Sequence, residues 1–519
     1  MIKNPYISAG IFFYIILNIV SLTYFPSMHS DEGWLASLSR SILIEHNIGA
    51  SEDFFHEVNR NPHAIKSLFH LIQIPFISIR YSLFIVRLLS LIAGLITLGF
   101  LFKSSLIIFN DKLMALGFIT LIAMDIQFIY ISHFARQEIF VLMIFSICLY
   151  IFIKPVGLWK FRKDLLMGGI LGFSIGIHPN VFIIATGFIF IYLLHSIINF
   201  KSKNPKYPAM VNLGLFIAVL VLFGIFYIGL SIKLNPDFLR TYIDSGQGVG
   251  VSKPIIIKLL KLPRFFKKMF SQIGGTYYLP NIRPQLIVFS ISFLSLIPVM
   301  FIKPKKKILI LGMQFLMVGI ISGTLIIGKY SPPSIIFIFI PGYLLLFLLL
   351  KTIIHSRKKI IIFSIILIVS SSIFSINQIL PWSKYDYTKY IQNFKNTIPP
   401  NARVIGNLNT IFAFSPKKLY SFRDLTILDE EFTFRDYIKK HKLDYIIYSD
   451  ELEIIFNERP VWNTMYGNIY PWYKEMMQFI KTDCEEIYSW DEPVFGMRIT
   501  SYMNKRCGNI SIYRILDTE

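Results

Sequence analysis

The 519-residue chain has only three cysteines, and charged residues make up just 16% of it. Three thiols exclude a disulfide-rich scaffold and any four-thiolate zinc or iron–sulfur site. Acids are the scarcer sign, with 31 Asp and Glu against 52 Lys and Arg and a net charge of +21. In a soluble protein that excess would suggest a nucleic-acid partner. Here 54% of the residues are hydrophobic, 48 of them Phe, and mean hydropathy is +0.57. The composition therefore argues against nucleic acid and for a polytopic membrane protein. An internal repeat, a low-complexity linker and a glycine-rich phosphate loop are also missing. The first residues lack the charged start and small-residue cleavage site of a removed leader, so they read as a retained anchor.

Crossing the hydrocarbon core takes about 20 apolar residues. Eleven candidate spans emerge, at roughly 6–25, 81–102, 113–131, 138–153, 165–177, 180–199, 208–232, 285–302, 308–328, 333–350 and 360–379. The segments between them alternate in charge. One set, carrying Lys3, Lys103, Lys112, Lys154 to Lys163, Lys201 to Lys206, Lys303 to Lys307 and Lys351 to Lys359, holds 18 cations against two acids, Asp111 and Asp164. The positive-inside rule places this set in the cytoplasm. The other set, 26–80, 132–137, 178–179, 233–284, 329–332 and 380–519, then faces outward, with the N-terminus inside and the C-terminus outside. The short apolar segment 66–79 is expected to be an interfacial or re-entrant helix on the outer face. Beyond 380 the composition turns polar, with 18 cations and 19 acids. The expected organisation is a transmembrane domain over 1–379 and a soluble extracytoplasmic α/β domain over 380–519. In the latter, ARVIGN, DLTIL, LDYIIYS and NISIYRIL read as strands and EFTFRDYIKKHK as a helix. Cys484 and Cys507 fall there and could pair in an oxidising compartment, while Cys148 reads as an apolar packing residue.

Ionisable residues at span ends are expensive and so informative. Between 81 and 379, outside the basic loops and 233–284, five remain: Arg87, Asp125, Arg136, Glu138 and Lys329. All five fall in the outward half. Asp31 and Glu32 follow the first span in SMHSDEGWLASLSR, where a helix start would also favour acids as caps. Arg87 reads as a headgroup or helix-packing residue, and Asp125 as a buried partner for a cation. Segment 233–284 has nine cations and two acids, breaking the charge pattern. Its IIIKLLKLPRFFKKMF reads as a basic amphipathic surface helix suited to anionic headgroups or a polyprenyl phosphate. The preceding DSGQGVGVSK reads as a mobile gate.

The order of these features resembles the membrane glycosyltransferases of the dolichyl-phosphate-mannose protein mannosyltransferase and aminoarabinose transferase type, which share the GT-C fold. The matching parts are SDEGWLA after the first span, SLFIVRLLSLIAGLITL, ARQE opening the fourth span, GGILGFSIGIHPN across the fifth, and GKYSPPS before a late span. They cover about residues 1–350. The resemblance implies inverting transfer of a hexosyl or pentosyl unit from a polyprenyl-phosphate donor, on the outer face of the cytoplasmic membrane. A glycan, lipid or protein would be the acceptor.

By that resemblance Asp31 is the general base, with Glu32 as support or acceptor ligand, and Arg136 and Glu138 a second charged pair in the same cavity. His178, in the HPN turn, is a further candidate. Lys329 and Tyr330, with Lys258 and Lys261 of the basic segment, would bind the donor phosphate. No cofactor is firmly implied; Asp31 and Glu138 are the oxygen ligands if Mg²⁺ or Mn²⁺ is used. Two other readings stay open. An O-antigen ligase or polymerase would use a long late outward loop, and a transporter or flippase would carry midplane charges and an inverted repeat.

Overall fold

The computed structural model describes residues 5–57, 61–154, 160–200, 209–249, 251, 253–272, 275–302, 307–328, 330–428, 431–458, 469–499 and 508–516. Long apolar runs set the helix lengths, and polar caps set where helices begin. In chain order the helices are α1 (Pro5–Ser21), α2 (Ser30–Glu45), α3 (Ser67–Ile79), α4 (Leu83–Phe109), α5 (Lys112–Ala123), α6 (Ile126–His133), α7 (Glu138–Ile153), α8 (Lys160–Phe173), α9 (Val181–Phe200) and α10 (Ala209–Leu234). They continue with α11 (Phe238–Val249), α12 (Ile255–Ser271), α13 (Arg283–Ile302), α14 (Lys307–Ile327), α15 (Phe339–Ile353) and α16 (Arg357–Ile379).

Among the described residues seven helices are long and apolar enough to cross a membrane, or eight if α5 and α6 count as one bent span. The other three sequence candidates fall on α1, α7 and α8, of 17, 16 and 14 residues, shorter than the roughly 20 residues of a typical crossing. The run 113–131 is not one straight helix. Asp125 caps α6, accepting from the amides of Gln127 and Phe128 at 2.8 and 3.2 Å, and the chain bends by 61°. Asp125 also accepts from Gln285 at 3.0 Å and Tyr343 at 2.5 Å. Its bonded partners are neutral donors, not the cation expected.

Residues 333–350, from the 3₁₀ turn through most of α15, are all buried, whereas α10, α13 and α16 keep apolar faces exposed, including Leu222, Phe226, Ile291, Leu294, Ile365 and Ile373. Those faces suit lipid. Helices α9 and α14 approach closely through glycine, as membrane helices do. A Cβ on Gly319 would lie 2.8 Å from the Gly187 Cα.

Among the described residues, loops of the same charge-defined set meet one another. Lys351 donates to the Phe109 carbonyl and Arg357 lies 3.7 Å from Asp111, so basic segments meet one another. At the other end Tyr277 donates to Asp31, Tyr278 meets Phe25 and Trp382 edge-on, and the Tyr387 amide donates to the Thr23 carbonyl. Helix α3 stays at that end, packed on α2 through Ser39, whose hydroxyl bonds Gln73 at 2.6 Å.

Residues after 380 add α17 (Tyr387–Thr397), α18 (Phe434–His441), α19 (Glu451–Glu458) and α20 (Tyr473–Asp483) around a five-stranded sheet. The strands are β1 (Val404–Gly406), β2 (Leu419–Ser421), β3 (Tyr445–Ser449), β4 (Cys484–Asp491) and β5 (Asn509–Ile515), in the order β2-β1-β3-β5-β4. The pairs β2–β1 and β1–β3 are parallel; β3–β5 and β5–β4 are antiparallel. DLTIL is not a strand. It lies largely in the 3₁₀ turn Phe422–Ile427, started by the Ser421 hydroxyl, which accepts from the Arg423 amide. DSGQGVGVSK is helical in α11 as far as Val249, and its remainder falls partly outside the described residues, as does Cys507.

The sheet unit docks on the loop 26–80. One apolar cluster joins Met28, Ala36 and Phe54 to Tyr390, Ile411 and Phe495. Arg40 pairs with Asp53 at 2.5 Å and donates to the Phe414 carbonyl at 3.0 Å. Asp424 accepts from the amides of His56 and Glu57, both at 3.1 Å.

Candidate active site

The site is built on the first turn of α2. His29 is its N-cap: Nδ1 accepts from the Asp31 amide at 3.0 Å, and the Glu32 carboxylate closes the box by accepting from the His29 amide at 3.0 Å. The two adjacent acids then diverge. Glu32 is fully buried, with both oxygens paired to Arg87 at 2.8 and 2.7 Å, and it also accepts from the Ala135 amide at 2.9 Å. Arg87 donates as well to the carbonyls of Leu22 and Pro26. This pair therefore locks α1, α2, α4 and the turn before α7, and Arg87 is a packing residue, not a headgroup ligand. Leaving either partner alone in such a setting costs about 3–5 kcal/mol.

Asp31 points the other way, with a third of its side chain exposed. Its Oδ2 accepts from Arg136 at 2.9 Å and from the Tyr277 hydroxyl at 2.7 Å, and Arg136 also donates to that hydroxyl. The second Arg136 nitrogen lies 3.2 Å from buried Glu138. The sequence grouping of Asp31, Arg136 and Glu138 is thus a single chain of contacts. Tyr277 was not singled out by the sequence. It follows the basic helix in GGTYYLP, an aromatic pair with nothing in the motif to announce it. The Tyr277 ring stacks on His29 at 4.4 Å, and Phe134 closes the edge of His29 at 5.9 Å.

Burial pushes the Asp31 carboxyl up, but His29, Arg136, the Tyr277 hydroxyl and Arg498 together outweigh it and hold it well below the usual carboxylate range. Burial pushes His29 down to about 4. His29 is accordingly neutral at pH 7, and the charges that keep Asp31 ionised there belong to the arginines. Nδ1 being an acceptor, the proton sits on Nε2, which is buried without a hydrogen-bond partner among the described residues.

Other sequence candidates sit elsewhere. His178 caps its turn, accepting from the Asn180 amide at 2.9 Å, and the Asn180 side chain donates to Ser334 at 3.1 Å. The hydrogen bonds and ion pairs made by Asp31 itself, among the described residues, do not include it. The Lys258 ammonium is turned inward to the Ile326 carbonyl at 2.6 Å, capping α14. A phosphate there would compete with that bond. Tyr330 donates to the Lys258 carbonyl at 2.7 Å and stacks on Phe265. Lys261, partly exposed on α12, has its pKa pushed down by hydrogen bonding and charge from Lys253. Lys329 lies outside the described residues.

Among the described residues no three His, Cys, Asp or Glu side chains are placed to hold a metal ion. Between Asp31 and Glu138 lies the Arg136 guanidinium, where a shared cation would have to sit. The residues present do not fit a metal bridging that pair.

Neither a family model nor a curated protein sequence matches the chain. Among solved structures it is similar to ArnT from Cupriavidus metallidurans bound to undecaprenyl phosphate, with a TM-score of 0.57 at 10% identity over 98% of each chain. It is similar also to the apo state of the same protein, at 0.56 and 10% identity over 100% of both. The chain has the GT-C fold. An Archaeoglobus fulgidus oligosaccharyltransferase, in complex with Zn and sulfate, aligns over 88% of this chain and 70% of its own at 11% identity and a TM-score of 0.49. The likeness to ArnT covers the sheet unit as well as the helices.

Proposed function

We propose that this chain is a membrane glycosyltransferase that moves a sugar from a polyprenyl-phosphate donor to an acceptor hydroxyl, with Asp31 as general base. The observation that carries this reading is the Asp31 carboxylate. It is ionised, one-third exposed, and held by Arg136 and Tyr277 on a GT-C scaffold. The structural neighbour's undecaprenyl phosphate supports a lipid-linked donor.

In the proposed reaction the acceptor oxygen attacks the anomeric carbon as its proton passes to Asp31. The bond from that carbon to the phosphate oxygen breaks, and the phosphate leaves with the electron pair. One bond forms and one breaks at a single carbon, so the configuration inverts. Glu32 and Arg87 act as positioning residues that fix the α2 start. Arg136, paired with Asp31 and Glu138, fixes the base and favours its ionised form. Lys261 with its cationic neighbours on α12 is the group suited to draw the donor phosphate to the membrane surface. The loop charges favour an N-terminus in the cytoplasm and the Asp31 site on the outer face of the cytoplasmic membrane.

The test is Asp31→Asn in membranes supplied with a radiolabelled polyprenyl-phosphate sugar. Transfer should fall at least about 100-fold, the scale of general-base loss, with expression unchanged. Undiminished transfer removes Asp31 as the base, and a wild-type protein that consumes no such donor sinks the reading itself.

A further inference from the structure

Among the described residues, one charged side chain beside the site forms no ion pair. Asp31 and Trp34 lie three residues apart on α2, on one face and about 4.5 Å apart along the axis. The Trp34 ring is fixed: its Nε1 donates to Glu52 at 2.6 Å, and Phe54 and Phe55 meet it edge-on at 5.3 and 5.2 Å. Over the face of that ring, 4.9 Å from its centre, stands the guanidinium of Arg423, delivered by the 3₁₀ turn of the sheet unit.

The neighbouring arginines are paired: Arg40 with Asp53, Arg87 with Glu32, Arg136 with Asp31 and Glu138. Among the described residues the Arg423 guanidinium makes no hydrogen bond and no ion pair, although Asp31 and Glu52 are near enough to act on its charge. Arg498 adds a second positive charge that reaches both Arg423 and Asp31. A half-buried guanidinium with its whole donor fork available is built to grip a carboxylate or phosphate.

We propose that the acceptor carries an anionic group, phosphate or carboxylate, close to its reacting hydroxyl, and that Arg423 holds that group while Asp31 takes the proton. The proposal rests on the transferase reading above. Geometry assigns the anion to the acceptor and not to the donor. In a direct displacement the leaving phosphate lies across the anomeric carbon from the attacking oxygen, hence across from Asp31, whereas Arg423 is one turn from Asp31 on the same face. Arg423 also comes from the sheet unit, away from the apolar helices that a polyprenyl chain would follow. An acidic glycolipid or a phosphorylated glycan fits; an uncharged hydroxyl does not use this side chain.

The experiment measures binding to the full chain in lipid nanodiscs. The probes are octyl β-glucoside, octyl β-glucuronide and octyl glucoside 6-phosphate, with undecaprenyl phosphate as the donor-side probe. The wild type should bind one or both anionic glycosides at least about 10-fold more tightly than the neutral one, the scale of a charge-assisted hydrogen bond. Whichever anion wins identifies the group. Arg423→Gln should erase the preference and leave undecaprenyl phosphate binding unchanged, while Arg423→Lys should keep an intermediate preference. No preference in the wild type, a preference that survives Arg423→Gln, or a parallel loss of undecaprenyl phosphate binding in a folded variant would each overturn the proposal. Should Arg423→Gln not fold, the lysine variant and the fall of the wild-type preference with added salt decide it. These readings need no turnover, so they are separate from donor consumption. An intact preference without donor consumption removes the transferase reading and the acceptor assignment with it.

Discussion

Asp31 and Glu32 are neighbours in sequence and opposites in environment. The second is enclosed by Arg87 and two amides, and the first faces Arg136, Tyr277 and solvent. One peptide unit turns the next side chain by about 100° around a helix, enough to give one acid to the scaffold and the other to the site. The depressed Asp31 pKa sets a pH signature. The carboxylate stays ionised from alkaline pH into strong acid, so wild-type kcat/KM should show no acid limb from this group between pH 5 and 7. Removing the Arg136 charge or the Tyr277 hydroxyl leaves burial less opposed and raises the pKa. In Arg136→Gln and Tyr277→Phe the acid limb should therefore move toward neutrality, read from kcat/KM against pH. An unmoved limb would mean that these contacts do not govern the base.

At the scale of elements, close approach and caps matter more than hydropathy. Helices α9 and α14 meet where Gly319 faces the Gly187 Cα and Gly323 faces the Ile183 Cα, at 2.8 and 2.7 Å for an added Cβ. Backbone on the far side cannot yield as a flexible side chain would. Gly319→Ala should therefore destabilise the protein by about 1–3 kcal/mol, the range for overpacking, seen as a lower melting temperature in nanodiscs. A neutral result would show that the helices can separate without penalty. The sequence reading found β1, β3, β5 and α18 from their patterns but missed β2 and β4. Strand β2 has three residues, too few for alternation to register. Strand β4, CEEIYSWD, lies at the sheet edge with little burial, so its polar residues hid it.

For the molecule as a whole, the described basic loops around Phe109 and Arg357 meet one another, and the sheet unit covers the end that holds Asp31. This arrangement predicts labelling by sidedness. Exposed Lys358 and Lys389 belong to opposite sets. In a variant lacking the three native cysteines, Lys389→Cys should react with an impermeant maleimide on intact cells, and Lys358→Cys only after permeabilisation. The reverse pattern would invert the proposed orientation. Docking of the sheet unit through Asp424, Arg40 and the shared apolar cluster also explains how Arg423, almost 400 residues from Asp31 in sequence, stands beside it.

The sequence by itself determined the membrane class, the helical bundle, the grouping of loops and the three charged residues Asp31, Arg136 and Glu138. Apolar length, charge bias and the cost of an intramembrane charge are local properties that any single chain displays. Tertiary structure alone decided which acid stays partly exposed, and that Lys258 caps a helix. It also decided that Tyr277, His29 and Arg423 stand near Asp31. Those outcomes depend on which groups meet across tens or hundreds of residues. A hydrogen bond or an unpaired charge exists only once packing has brought its surroundings into place.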